Sequence, residues 1–186
     1  ELASSEPDLN YKVEDLDNAS YDVLDMVSFE KVLFLLVNMP YGVQVMSSDF
    51  DDLVESSLNL GIFKIHENQA EFMNHIRSSK DSYKHYLSDK LDYMISFLGG
   101  EYYIRSEYPA WEYKQDSLLR DHIVKVYKEV YGKDMEAAAI HAGLECGIIY
   151  NKMPGIDIVS MGPDMSDVHT VEEKLNIPST LRVYKF

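Results

Sequence analysis

Apolar residues recur at helical spacing across residues 21–38, at Val23/Leu24, Val27, Val32, Leu35 and Leu36, and Met39-Pro40 ends the run. Residues 41–46 (Tyr41-Gly42-Val43-Gln44-Val45-Met46) alternate with the period of a strand and run into the polar turn Ser47-Ser48-Asp49. Residues 58–65 and 70–76 flank His66-Glu67-Asn68-Gln69, which reads as a hairpin with a polar turn. A second helix is expected over 81–98, with Tyr83, Tyr86/Leu87, Leu91, Met94/Ile95 and Leu98 on one stripe and Gly99-Gly100 as its stop. Residues 101–108 read as a strand closed by Pro109, and 11–17 alternate weakly as an edge strand. This order is that of an antiparallel sheet with two helices on one face, an α+β arrangement.

The pattern changes after Pro109-Ala110-Trp111. Residues 117–131 carry an amphipathic stripe (Leu118/Leu119, Ile123, Val126/Tyr127, Val130) ended by Gly132-Lys133-Asp134. A short buried strand is expected at 137–140, a helix at 143–151 and an apolar strand at 155–161. Strands alternating with helices imply parallel pairing and an α/β segment. A boundary is therefore expected near residues 109–116, dividing the chain into 1–110 and 111–186.

A hydrophobic fraction of 46% and 14 tyrosines place the chain among folded globular proteins. A formal net charge of −15 disfavours nucleic acid as a partner, because phosphates are repelled. No apolar run is long enough to cross a bilayer, so no membrane partner is expected. The one cysteine, Cys146, excludes an intramolecular disulfide and fits a reducing, cytoplasmic setting. The chain opens on Glu1-Leu2-Ala3-Ser4-Ser5 without Met or a signal-peptide pattern and closes within a helical run. Both ends are expected to be boundaries within a longer protein.

Three places could carry chemistry. His141-Ala142-Gly143-Leu144-Glu145-Cys146-Gly147 lies where a strand is expected to end and a helix to begin, the usual ligand position of an alternating sheet. A glycine there lets backbone approach a ligand, and His141 and Glu145 add titratable groups; plain turn and capping chemistry accounts for the same spacing. The polar loop after Gly162-Pro163 holds Asp164, Asp167 and His169, and a loop histidine with carboxylates nearby suits zinc, or is simply solvated. Arg77, at the end of the hairpin, has the fork that pairs with a carboxylate, or forms an exposed ion pair. Cys146 has no paired base and is not read as a nucleophile.

In combination these segments resemble the aminoacyl-histidine (Xaa-His) dipeptidases, two-zinc metallopeptidases with an inserted lid domain. The stretches that carry the resemblance are Asn38-Met39-Pro40-Tyr41-Gly42-Val43 with Leu53-Val54-Glu55-Ser56-Ser57-Leu58-Asn59-Leu60-Gly61, then Ile76-Arg77-Ser78-Ser79, then His141 to Gly147, and finally Pro154-Gly155-Ile156-Asp157 through Ser160-Met161-Gly162-Pro163 to His169 and Glu172. They span residues 38–177. The resemblance implies a partial lid with its antiparallel sheet over 1–110, followed by the C-terminal α/β segment of the catalytic domain over 111–186. It makes His169 the last ligand of the zinc pair and Arg77 the partner of the dipeptide carboxylate. It has Ala142 and Gly143 present backbone to the substrate, with His141 and Glu145 lining that pocket.

The general base and the other zinc ligands would lie upstream of residue 1, so no residue here is expected to be catalytic. The chain alone is expected to be inactive and to need the missing N-terminal part of the same protein. A homodimer through the lid is also implied. Two rivals remain at this level: a stand-alone binding or dimerisation module, and a related metal-dependent exopeptidase or deacylase.

Overall fold

The computed structural model describes residues 10, 12–15, 20–141 and 143–186. The chain divides into two units, residues 1–36 and 37–186. Helix α1 spans Met26–Asn38, so most of it belongs to the first unit. It starts five residues later than its apolar spacing begins because Asp25 caps it: the Asp25 carboxylate accepts from the backbone N–H of Val27 at 3.0 Å and of Ser28 at 3.1 Å. Residues 12–15 of the expected edge strand are not in a strand, and residues 11, 16 and 17 of that stretch lie outside the described residues.

The second unit is organised on an antiparallel sheet in the order β1 (Gly42–Met46), β2 (Val54–Ile65), β3 (Ala70–Ser78). The turn at 66–69 closes through the His66 N–H to the Gln69 carbonyl, 2.8 Å. Pairing starts from Ile65↔Ala70, but a register shift between Leu60 and Ile62 moves every later pair by one residue. Gly61 stands at that bulge, and a Cβ there would meet the His75 ring at 3.1 Å. Beyond the bulge Ser57 pairs with Arg77 and Leu58 with Ile76. Strand alternation thus gives Ser57 and Arg77 one face and Leu58 and Ile76 the other. Helix α2 (Asp81–Phe97) packs on β3, and Leu58, Leu87 and Leu91 are its buried apolar core. It ends at Leu98, with Gly99 in the left-handed conformation at φ 81°.

Residues 101–108, 137–140 and 156–161 have no regular structure and pair with no strand, and a bend with Ser106 at a positive φ of 57° interrupts the first of them. The expected parallel ladder is therefore not formed among the described residues. These stretches have strand sequences without a neighbouring strand to donate to, and a strand is defined by its partner. Helix α3 (Leu118–Tyr131) does form, capped by Ser117, whose hydroxyl accepts from Arg120 N–H at 3.1 Å, and ended by Gly132 at φ 66°. Asp157 ties the 156–161 stretch to the start of this helix. Its carboxylate accepts from the Ser117 hydroxyl at 2.7 Å and from the Leu119 N–H at 2.9 Å.

Helix α4 covers Glu145–Lys152. A two-residue pair, β4 (Met165–Ser166) with β5 (Lys174–Leu175), and helix α5 (Ile177–Lys185) complete the chain. Among the described residues no helix is long and apolar enough to cross a membrane.

Candidate functional site

A cavity of about 490 Å³ opens beside the far end of β3. Its walls include the end of that strand, residues 102–114, residues 135–141 and residues 158–161, so the unpaired stretches form much of its sides, with residues of α2 and α3 beside them. Arg77, His141 and Gly143 all line it.

The Arg77–His141 corner is built by the β2–β3 register. Ser57 lies opposite Arg77 on the ladder, and its Oγ is 2.7 Å from Nε2 of His141. Burial pushes the His141 pKa below its ordinary value, the positive charge of Arg77 adds to this, and a hydrogen bond to the Val54 backbone opposes it. His141 is thus held toward the neutral form, beside an exposed guanidinium.

Gly143 and Gly147 have a packing reason to be glycines. A Cβ on Gly143 would fall 2.2 Å from the Tyr108 ring, and one on Gly147 would fall 2.8 Å from the Pro109 carbonyl. Gly147 is buried, so α4 rests with its own backbone against the 108–110 segment. Gly147→Ala is expected to cost about 1–3 kcal/mol, the usual range for overpacking, read as a lower urea midpoint at unchanged slope. An unchanged midpoint would mean that α4 is not seated on Pro109.

The other expected residues lie elsewhere. Glu145 is exposed on the first turn of α4 and does not line the cavity. Ala142 lies outside the described residues. His169 is exposed in the turn between β4 and β5, at φ 67°, with its N–H bonded to Glu173 Oε2 at 2.7 Å, and it too is absent from the cavity wall. Asp164 pairs with Arg182 at 3.1 Å and Asp167 with Lys174 at 3.8 Å. Among the described residues no group of three His, Cys, Asp or Glu side chains could hold a metal ion.

Two residues of the corner carried no functional signal in the sequence. Ser57 is one more polar residue in a strand, and only the bulge brings it opposite Arg77. Tyr108 was read as the end of a strand, whereas its ring fills the space beside Gly143.

A cavity walled by an arginine and a neutral histidine is suited to a small ligand with a carboxylate. Comparison with known proteins gives that cavity a context. The chain is 32% identical over 181 residues to the cytosol non-specific dipeptidase of Escherichia coli strain K12, which covers 96% of the chain and 37% of the relative. Its structure superposes on the crystal structure of aminoacylhistidine dipeptidase from Vibrio alginolyticus with a TM-score of 0.83 and 29% identity, over 100% of the chain and 38% of that protein. No protein-family model matches the chain. The chain is a homologue of these dipeptidases and spans somewhat more than a third of the length of each.

Proposed function

We propose that this chain serves as the C-terminal part of a longer zinc-dependent dipeptidase, one that hydrolyses dipeptides ending in histidine. The observation that carries the reading is the convergence of Arg77 and His141 on one cavity, in a chain homologous to a dipeptidase. Arg77 takes the C-terminal carboxylate of the dipeptide, and His141 and Gly143 form the wall beside it, with Ala142 and Gly143 presenting backbone to the substrate. Residues 1–110 serve as the second part of the lid and 111–186 as the end of the catalytic domain.

The donor set present does not fit a zinc site by itself: among the described residues no three candidate ligands stand together. His169 supplies one ligand, and the remaining ligands and the general base come from the rest of the protein. A structural zinc site needs about four ligands, so the isolated chain is inactive and holds no tight metal. The lid supports a homodimer, and the whole protein works in the cytoplasm. The description of the E. coli relative as non-specific favours a second reading, in which dipeptides with varied C-terminal residues are accepted.

A dipeptide panel on the full-length protein, with and without chelator, tests both readings. Chelator-sensitive turnover led by Xaa-His substrates supports the first, and similar rates across the panel support the second. No dipeptide turnover at all would overturn both.

A further inference from the structure

Ser57 and His141 are 84 residues apart in sequence, yet their Oγ and Nε2 atoms are 2.7 Å apart. The serine is half-buried and does not line the cavity, whereas the histidine does. This placement argues against a nucleophilic role for Ser57, because its hydroxyl reaches the histidine and not the ligand space. The groups around the ring are Ser57 and the Val54 backbone from β2 and Arg77 from β3. Nε2 faces the Ser57 hydroxyl, so the ring N–H that a hydrogen bond to the Val54 backbone requires falls to Nδ1, which leaves at Nε2 a lone pair for the serine hydroxyl to donate to.

We propose that Ser57 is a positioning residue, whose hydroxyl holds His141 as the neutral Nδ1–H tautomer with its ring fixed beside Arg77. The guanidinium then meets no second positive charge at that position, and its charge remains available to a ligand carboxylate. The sheet makes this pairing specific. The bulge at Gly61 sets Ser57, and not Leu58, opposite Arg77, so one register step delivers both the cation and the group that keeps its neighbour neutral. The role of the pair toward a carboxylate rests on the reading under Proposed function, but the state of the ring does not.

The test is long-range ¹H–¹⁵N correlation spectroscopy of the labelled full-length protein. At neutral pH His141 is expected to show one tautomer, protonated at Nδ1. In Ser57→Ala the Nε2–H form should become visible and the titration midpoint of His141 should move upward, because the lost hydroxyl bond favoured the neutral ring. Ser57→Thr, which keeps the hydroxyl, should restore both. A native His141 protonated at Nε2 would overturn the proposal without any variant. So would a Ser57→Ala chain, otherwise unchanged in its amide spectrum, with the native tautomer and midpoint. Failure of the dipeptide panel would leave these outcomes as decisive as before.

Discussion

Arg77→Ala in the full-length protein is expected to lower kcat/KM about tenfold to a hundredfold for free dipeptides, and far less for C-terminally amidated ones. A charge-assisted hydrogen bond is worth roughly 1.5–3 kcal/mol, and about 1.4 kcal/mol is a factor of ten. Amidation removes the charge that the guanidinium is proposed to hold, so an amide has less to lose. The side chain is exposed on the face opposite the Leu58–Ile76 core, so its removal should leave the packing of α2 on β3 in place. Arg77→Lys keeps the charge but not the planar fork, and is expected to fall between the two. Equal losses on free and amidated substrates would make Arg77 structural, and the carboxylate assignment would fail.

Most helices were legible because their signals are local. Ser117 and Gly132 bracket α3, Gly99 stops α2, and the apolar stripe between each pair of signals needs no partner to be read. The strands of the hairpin were legible for the same reason, and its polar turn at 66–69 was placed correctly. Register was not legible. Counting outward from Ile65↔Ala70 without a bulge would set Arg77 against Leu58, on the wrong face, and only the shift between Leu60 and Ile62 corrects it. A glycine inside a strand is a recognised bulge signal, so Gly61 was the one available cue.

The stretches 101–108, 137–140 and 156–161 were misjudged in state though not in character. Their composition reports a strand environment, but whether a ladder forms depends on a neighbour that the stretch itself does not encode. The candidate site was legible in part. Arg77, His141 and Gly143 meet at one cavity, while the contribution of Ser57 depends on a contact across 84 positions that spacing cannot show.

His169→Ala in the full-length protein is expected to abolish turnover while leaving the melting transition almost unchanged. The side chain is exposed in the β4–β5 turn, so its loss removes little buried surface. The turn is held by other groups: Asn176 N–H donates to the Asp164 carbonyl at 2.9 Å, and Asp164 N–H donates to Ser179 Oγ at 2.8 Å. Its proposed task is to give a neutral imidazole nitrogen to one zinc ion, at about 2.0–2.1 Å. The backbone there has a positive φ of 67°, which asparagine adopts readily, so His169→Asn serves as a second variant that spares the turn. Both variants should lose activity together with metal. Asp164 and Asp167 are engaged with Arg182 and Lys174, so replacing either should cost far less activity than replacing His169. The decisive measurement pairs metal content with rate on the same purified sample. Two zinc ions and near-normal rates in both variants, with a normal melt, would show that His169 is a solvated turn residue and that the metal assignment is wrong.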